Sequence, residues 1–240
     1  MPGILYIISA PSGSGKSTLV NELRSLVPYL EFSISYTTRA PRGSEQNGRE
    51  YYFVSRREFE EMIRREEFLE HAEVFGNYYG TAKRFLREAE ARGNDLLLDI
   101  DVQGAAQVKE RAENSVSIFV LPPSRKDLER RLRNRSQSEA STSKGGGMSD
   151  AVIERRLLEA GKEIEKYSKY DYILVNNDLQ EAVECLKAIV VSERKLRSGK
   201  ALDDADQKML GEARKCLQAA QAQSGKLQEI LSSFSPAPSG

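Results

Sequence analysis

The sequence has few of the residues from which metal clusters and disulfide networks are built. It contains a single histidine, His71, and only two cysteines, Cys185 and Cys216. These three side chains do not have the spacing of a metal site, and both cysteines lie in sequence typical of helices. We therefore expect no disulfide framework, a cytoplasmic protein, and a His71 that packs or faces solvent rather than binding a metal.

The chain also lacks a long hydrophobic run and an excess of charge of either sign. No apolar stretch approaches membrane-spanning length, and no basic segment precedes the short apolar stretch at the N-terminus, so we expect neither a membrane anchor nor a signal peptide. Lys plus Arg and Asp plus Glu each number 36, and this balance argues against a protein that coats nucleic acid. The 240 residues are enough for one α/β domain with smaller insertions.

What the chain does have is a glycine-rich loop between an apolar run and a helix-forming sequence. Residues 4–8 are apolar and are soon followed by Ala10-Pro11-Ser12-Gly13-Ser14-Gly15-Lys16-Ser17-Thr18. Small residues let backbone N–H groups surround a phosphate, and a helix that begins near Lys16 adds the positive end of its dipole. We predict that residues 10–18 bind nucleotide phosphates, with Lys16 on the outer phosphates and the Ser17 hydroxyl on Mg²⁺.

Ala10 stands where the general phosphate-loop pattern has glycine. A methyl group fits at this position if the backbone keeps a negative φ. The alternative interpretation is an ordinary strand–turn–helix junction that is rich in small residues. The order of buried strand, glycine-rich turn and helix favours the phosphate loop, because that is the context in which such loops work.

Apolar runs alternate with sequence suited to helices along much of the chain. Four runs predict buried strands, at residues 4–8, 96–101, 116–121 and 172–175. Helices are predicted at residues 58–65, 83–92, 102–111, 127–133, 152–167 and 179–194, with capping signals where Ser55 precedes Glu58 and Asp178 precedes Glu181. This alternation predicts the α/β fold class, a parallel β-sheet flanked by helices.

Three segments depart from this alternation. Residues 31–81 are rich in Tyr, Arg, Ser and Gly, and predict an inserted substructure with its own small sheet. Residues 134–150 are almost wholly polar and predict a flexible segment. Residues 201–231 are compatible with helix, whereas the Ser- and Pro-rich residues 232–240 predict a disordered end.

The inserted segment carries side chains suited to a nucleotide. Arg39 and Arg42 flank a proline turn, a spacing that suits bidentate recognition of phosphate. Tyrosine hydroxyls, as at Tyr51 and Tyr79, can donate to phosphate, and a carboxylate such as Glu70 can accept from the ring N–H and amino group of guanine. The alternatives are a basic surface loop and aromatic packing.

Two further clusters carry charge. Asp99 and Asp101 share one face at the end of a predicted strand, where open α/β sheets bind ligands; the alternative is a helix cap. A mobile lid that carries guanidiniums can stabilise phosphate charge during transfer, and the alternative is a solvated helix face. The arginines around the flexible segment are Arg130, Arg131, Arg133 and Arg135 before it and Arg155 and Arg156 after it.

Taken in order along residues 4–197, these motifs resemble those of the guanylate kinase family. The shared pieces are Ser-Gly-Ser-Gly-Lys-Ser, Ser-Tyr-Thr-Thr-Arg-x-Pro-Arg, Gly-x-x-Tyr-x-Phe, the run around Glu70, Gly-Asn-Tyr-Tyr-Gly, Leu-Asp-Ile-Asp-x-Gln-Gly and Val-Asn-Asn-Asp. The resemblance implies a phosphate-loop core with a GMP-binding insertion of mixed α/β structure and a mobile lid. It also implies a kinase of purine metabolism that uses ATP and Mg²⁺ to phosphorylate GMP, and dGMP as well, with no nucleic-acid or membrane partner.

The resemblance also implies a role for each matching residue. It assigns guanine recognition to Ser35, Glu70, Thr81 and Asp101, and the GMP phosphate to Arg39, Arg42, Tyr51 and Tyr79. ATP would contact residues 10–18 and, near the adenine, Asn176, while Asp99 in the GMP site would support arginine and metal positioning. The implied catalytic side chains are Lys16, Arg39, Arg131, Arg135 and Arg156.

The implied organisation is a guanylate-kinase-like domain at residues 1–196 and a helical or disordered extension at 197–240. The domain would comprise a core (1–33, 82–125 and 157–196), a GMP-binding insertion (34–81) and a lid (126–156) that is longer than the family's pattern. Asn134 and Ser136 flank Arg135 where the family has glycine. A phosphopeptide-binding module without catalysis and a kinase for another nucleoside monophosphate stay open as alternatives, and monomer and homo-oligomer are both compatible with the sequence.

Overall fold

Strands and helices alternate along the part of the chain that the computed structural model describes, residues 3–142 and 148–235. The strands, in chain order, are β1 (Leu5–Ser9), β2 (Leu30–Phe32), β3 (Tyr36–Thr37), β4 (Tyr52–Phe53), β5 (Phe68–Val74), β6 (Asn77–Ala82), β7 (Asp95–Asp99), β8 (Val116–Leu121) and β9 (Tyr172–Val175). The helices are α1 (Lys16–Leu26), α2 (Arg56–Arg64), α3 (Lys83–Arg92), α4 (Val102–Arg111), α5 (Arg125–Thr142), α6 (Asp150–Ile164), α7 (Leu179–Ser198), α8 (Asp204–Lys215), α9 (Gln218–Ala222) and α10 (Gly225–Phe234), with a 3₁₀ turn at Glu165–Lys169.

The described residues divide into two units, and the first comprises residues 3–8 and 28–116. In it, β7 lies between β2 and β1 and runs parallel to both, with Leu96 paired to Leu5 and Asp95 to Leu30. Almost every residue of β1 and β7 is buried, because strands of a parallel sheet are covered by helices. Helix α3 packs against β7.

A second sheet in the same unit is built from the short strands, in the order β4-β3-β6-β5. Strands β5 and β6 form an antiparallel hairpin in which Val74 pairs with Asn77 across Phe75 and Gly76. Both turn residues have a positive φ, 50° and 79°, as a two-residue hairpin turn favours. The small sheet predicted within residues 31–81 is therefore confirmed, although β2 at the start of that segment pairs with β7 instead.

The second unit comprises residues 9–27, 117–142 and 148–235. Its strands β8 and β9 are parallel, with Ile118 opposite Tyr172. The Asp171 carboxylate, just before β9, accepts a hydrogen bond of 2.7 Å from the backbone N–H of Ser117 and fixes the register of the pair. Helix α7 packs against α1, β9 and α8.

The predicted α/β class is confirmed, and the predicted strands 116–121 and 172–175 match β8 and β9. The strand predicted at 96–101 ends at Asp99 instead, because the next acidic residue, Asp101, is the N-cap of α4. The helix predicted at 152–167 ends at Ile164 and gives way to a 3₁₀ turn. No helix among the described residues is both long enough and apolar enough to cross a membrane.

Two segments are more helical than predicted. The prediction that a flexible segment begins at Asn134 is wrong for residues 134–142, because α5 continues to Thr142. No glycine or proline interrupts residues 125–144, so the sequence offers no strong stop signal. Likewise, α10 includes residues 232–234, where a disordered end was predicted. Residues 143–147 and 236–240 of these two predicted segments lie outside the described residues.

Candidate functional site

In the second unit, residues 10–15 form the loop that leads into α1. Gly13 and Gly15 have φ angles of 94° and 90°, which favour glycine, whereas Ala10 is buried and keeps a negative φ. The alanine that departs from the general pattern is therefore accommodated without strain. No acidic side chain occupies the first turn of α1, so its N–H groups and dipole are available to an anion.

Two side chains from distant parts of the sequence hold this loop at Ser14. The Asn176 amide donates to the Ser14 carbonyl at 2.7 Å, and Arg131 donates to the same carbonyl at 3.0 Å. Arg131 also donates to the Asn176 carbonyl at 2.8 Å. A side chain at Gly15 would overlap the Asn176 amide nitrogen. Burial lowers the pKa of Arg131, but a guanidinium stays protonated near neutral pH.

A cavity of about 370 Å³ opens beside these contacts. Its walls come from the loop, α1, α5 and the residues that follow β9, namely Gly13, Gly15, Thr18, Arg131, Asn176, Asn177 and Leu179. The structure thus brings together the loop and Asn176, both predicted to contact ATP, and Arg131, predicted as a lid arginine. Lys16, Arg135 and Arg156 are not among the lining residues; Arg135 is exposed on α5, and Arg156 is half-exposed on α6.

The one side chain predicted to bind a metal is Ser17, which directly follows Lys16 at the start of α1. Among residues 3–142 and 148–235, no three His, Cys, Asp or Glu side chains come together in a way that could hold a metal. Ser17 is exposed in the first turn of α1. A single hydroxyl fits the way in which Mg²⁺ binds at phosphate sites, with few protein ligands beside phosphate oxygens and water.

In the first unit, Arg39 is held by a carboxylate that sequence reasoning missed. Its two terminal nitrogens donate to Glu45 at 2.9 and 3.0 Å, and the guanidinium lies over the rings of Tyr51 and Phe53 at 5.2 and 5.7 Å. Burial opposes the charge of Arg39, but the hydrogen bonds to Glu45 raise its pKa above the usual value. Arg42 is exposed, and its backbone N–H donates to Glu45 at 2.7 Å.

Tyr51 connects this arginine to other predicted residues. Its ring lies 5.9 Å from the ring of Tyr79, and the two are nearly perpendicular. Burial, helped by the nearby negative charge of Asp99, raises the pKa of Tyr51 to about 12. The phenol therefore stays protonated and able to donate a hydrogen bond at neutral pH. The structure brings Arg39, Tyr51 and Tyr79 together, as predicted for the binding of a phosphate.

Glu70 and Thr81 face each other across the hairpin. They are paired in register on β5 and β6, with exposed fractions of 3% and 0%. The Thr81 hydroxyl has no hydrogen-bond partner among the described residues. A buried hydroxyl of this kind is costly unless it binds something, so it fits a ligand-binding role. Ser35, also predicted for this site, is half-buried, and its carbonyl accepts from the Tyr52 N–H at 2.9 Å.

Asp101 is the N-cap of α4, which was the alternative interpretation of this residue. Its Oδ1 accepts from the Gly104 N–H at 2.8 Å. A Cβ atom on Gly104 would lie 3.3 Å from that same Oδ1 and would overlap Oε2 of Glu70. Glu70 and Asp101 are therefore neighbours, and the carboxylates of both lie close to Gly104.

The sequence analysis gives no role to Glu45 or to Gly104, although Gly104 is the last residue of the Leu-Asp-Ile-Asp-x-Gln-Gly motif. Nothing in the sequence next to Glu45 indicates that it pairs with Arg39, because the two residues are six positions apart in an irregular loop. Gly104 does carry a signal, since a glycine in the first turn of a predicted helix usually marks a close approach.

Comparison with known proteins shows which family this chain is similar to. The guanylate kinase family model matches residues 3–193. The chain is 59% identical to the guanylate kinase of Koribacter versatilis over 237 residues, which cover 99% of this chain and 98% of that protein. It is 52% identical to the guanylate kinase of Geobacter metallireducens over 192 residues, which cover 80% of this chain and 90% of that protein.

A solved structure is also similar. The crystal structure of guanylate kinase from Anaplasma phagocytophilum matches with a TM-score of 0.64 and 33% identity, covering 84% of this chain and 98% of that one. The Geobacter match and the family match both stop short of the full chain, whereas the Koribacter match extends over nearly all of it.

Proposed function

This chain belongs to the guanylate kinase family, and on that premise we propose which residues perform the family's reaction in it. The reaction is the transfer of the γ-phosphoryl group of ATP to GMP, which gives ADP and GDP. Such a transfer needs positioning and cancellation of negative charge rather than covalent chemistry from the protein. No general base is needed, because a phosphate oxygen of GMP is already a competent nucleophile.

ATP binds in the second unit, with its phosphates on residues 10–18 and its adenine near Asn176. The support for this assignment is the loop whose N–H groups surround an anion, next to a cavity lined by Arg131 and Asn176. Lys16 neutralises the outer phosphates. Arg131, Arg135 and Arg156 of α5 and α6, together with Arg39, stabilise the charge that develops on the transferred group.

Mg²⁺ is the expected companion of ATP. The Ser17 hydroxyl would hold it together with phosphate oxygens and water, which suits an exposed hydroxyl in the first turn of α1. When bound, the ion screens the phosphate charge. We expect chelation of divalent cations to abolish turnover and added Mg²⁺ to restore it.

GMP binds in the first unit. The observation that carries this proposal is the buried pair of Glu70 and Thr81, a carboxylate beside an unpartnered hydroxyl. A carboxylate accepts from the N1–H and the amino group of guanine, a pair of donors that adenine does not present. Ser35 and Asp101 complete the guanine contacts, Asp99 supports the charged groups nearby, and Arg39, Arg42, Tyr51 and Tyr79 bind the phosphate.

We also propose that the domain spans residues 1–196, with the core, the insertion at 34–81 and the lid at 126–156 as the sequence divides them, and that residues 197–240 are an extension. A cytoplasmic location fits the two cysteines, neither of which is in a disulfide.

The test is a coupled assay of phosphoryl transfer from Mg-ATP to a panel of GMP, dGMP, AMP, CMP and UMP. We expect GMP to be preferred and dGMP to be accepted. Glu70→Gln removes the negative charge of the side chain that accepts hydrogen bonds from guanine. It should lower kcat/KM for GMP by about 10- to 100-fold, since a hydrogen bond to a charged group contributes about 1.5–3 kcal/mol. Lys16→Ala should lower kcat by about 100-fold or more, with an unchanged circular dichroism spectrum.

Matched controls are Glu73→Gln, an exposed position on the same strand, and Lys208→Ala, an exposed position on α8. Both should leave kcat and KM unchanged. Absence of transfer to any acceptor would instead support a phosphopeptide-binding module, and a preference for AMP or UMP would support a kinase for another nucleoside monophosphate.

A further inference from the structure

The helix at the C-terminal end of the described chain lies on the helices that carry the lid arginines. Helix α10 packs against both α5 and α6. Leu227 and Ile230 of α10 are buried, and the Arg125 N–H at the start of α5 donates to Ser233 Oγ at 3.1 Å. Leu227, Ile230 and Ser233 lie beyond residue 193, where the family match ends.

Phe234 connects α10 to the core between α5 and α6. That core is a cluster of buried side chains, with Phe234 packed against it, and consists of Leu128, Leu132, Ile153, Leu157 and Ala160. The helices approach closely at Gly161, where a Cβ atom would lie 3.8 Å from the Phe234 carbonyl oxygen. A large side chain at Gly161 would therefore press on the end of α10.

Two leucines of this cluster, Leu128 and Leu132, also lie against the phosphate loop. A Cβ atom on Gly13 would lie 2.9 Å from Cδ2 of Leu132 and 3.1 Å from Cδ1 of Leu128. Arg131, between them in sequence, donates to the Ser14 carbonyl at 3.0 Å. One layer of side chains on α5 is thus in contact with Phe234, through the cluster, and with the loop at Gly13.

We propose that Phe234 is a positioning residue for the ATP site: by packing its partly buried ring against the cluster between α5 and α6, it keeps Leu128, Leu132 and Arg131 in place against the phosphate loop. Well-packed cores transmit displacement because they contain few voids into which a side chain can relax. Loss of the Phe234 ring leaves a space that the leucines can enter, and this loosens the contact at Gly13. The inference rests on the assignment of the ATP site made above.

The experiment compares Phe234→Ala with the wild-type chain in steady-state assays that vary ATP and GMP separately, with ADP affinity measured by calorimetry. We expect KM for ATP and Kd for ADP to rise about 5- to 20-fold, while KM for GMP stays within twofold. The conservative variant Phe234→Leu should recover most of the ATP affinity. Leu158→Ala, the same kind of truncation at a position on α6 that is 65% exposed, is the control and should behave as wild type.

A second variant approaches the same contact from the other side. Gly161→Leu keeps Phe234 but displaces it, and should raise KM for ATP in the same way without a matching change for GMP. If both variants fold and both keep the wild-type KM for ATP and Kd for ADP, the proposal is overturned. If the wild-type chain itself fails to phosphorylate GMP but binds ADP, the proposed function fails, whereas the ADP measurements still decide the role of Phe234.

Discussion

At the scale of single residues, Gly104 matters because of the side chain that it does not have. It lies in the first turn of α4, close to the carboxylates of Glu70 and Asp101. We predict that Gly104→Ala displaces the buried Glu70 carboxylate and raises KM for GMP by about 10-fold or more, equivalent to about 1.4 kcal/mol. KM for ATP should not change, because the ATP site that we propose lies in the other unit.

The control for this substitution is Gly211→Ala on α8, where a Cβ atom would meet nothing within 4 Å. Its kinetics should equal those of the wild type, and its free energy of unfolding should rise by up to about 1 kcal/mol, because alanine is the better helix former. A Gly104→Ala enzyme with an unaltered KM for GMP would show that Glu70 does not need its present position.

Cys185 is a second residue with a measurable consequence. Its side chain lines a groove of about 740 Å³ formed by residues of α7 and α8. A hydrogen bond with the Cys216 thiol outweighs burial and lowers the pKa of Cys185 to about 7, whereas that hydrogen bond and burial raise the pKa of Cys216. We predict that iodoacetamide alkylates Cys185 with a midpoint near pH 7 and leaves Cys216 unmodified in the folded protein, as measured by peptide mass spectrometry.

The hydrogen bond with Cys216 favours the charged form of Cys185, so Cys216→Ala removes that stabilisation. The alkylation midpoint of Cys185 should then move upward, toward the value of an ordinary thiol. A midpoint that does not move in Cys216→Ala would contradict the hydrogen bond.

At the scale of elements, the sequence predicts the end of a helix well where a capping side chain is present, and poorly where there is none. Ser55 and Glu58 form the capping box that their spacing predicts, and Asp178 caps α7. The end of α5 carries no such mark, and its polar composition wrongly predicts a flexible segment there. Buried Leu128 and Leu132 anchor its first turns instead, and packing of this kind is not visible in local sequence.

The capping box of α2 gives a prediction at this scale. Ser55 Oγ accepts from the Glu58 N–H at 3.2 Å, and the Ser55 N–H donates to the Glu58 carboxylate at 2.7 Å. We expect Ser55→Ala to lower the free energy of unfolding by about 1 kcal/mol, as measured by urea denaturation. Ser44→Ala, at an exposed loop position, should change it by less than about 0.5 kcal/mol. Equal stability of the two variants would mean that the cap contributes nothing.

At the scale of the whole molecule, the sequence predicts what is local and misses what joins distant segments. The apolar runs of β1, β7, β8 and β9 predict these parallel strands. Strand β2 is not predicted, because it has only three residues and all are half-buried. The phosphate loop is recognisable because its residues are contiguous. The contacts that Arg131 and Asn176 make with Ser14 span 117 and 162 positions, and only the folded chain brings these residues together.

The Arg39–Glu45 pair has a consequence for the phosphate binding that we propose at Arg39. A free arginine side chain gives up about 1.5–2 kcal/mol of rotamer entropy when it is fixed. Because Glu45 holds both terminal nitrogens of Arg39, that loss is incurred during folding and not at the moment of capture. The phosphate of GMP, a dianion, would replace the Glu45 carboxylate, a monoanion, on the guanidinium of Arg39, which is already ordered. The second negative charge of the phosphate favours this exchange.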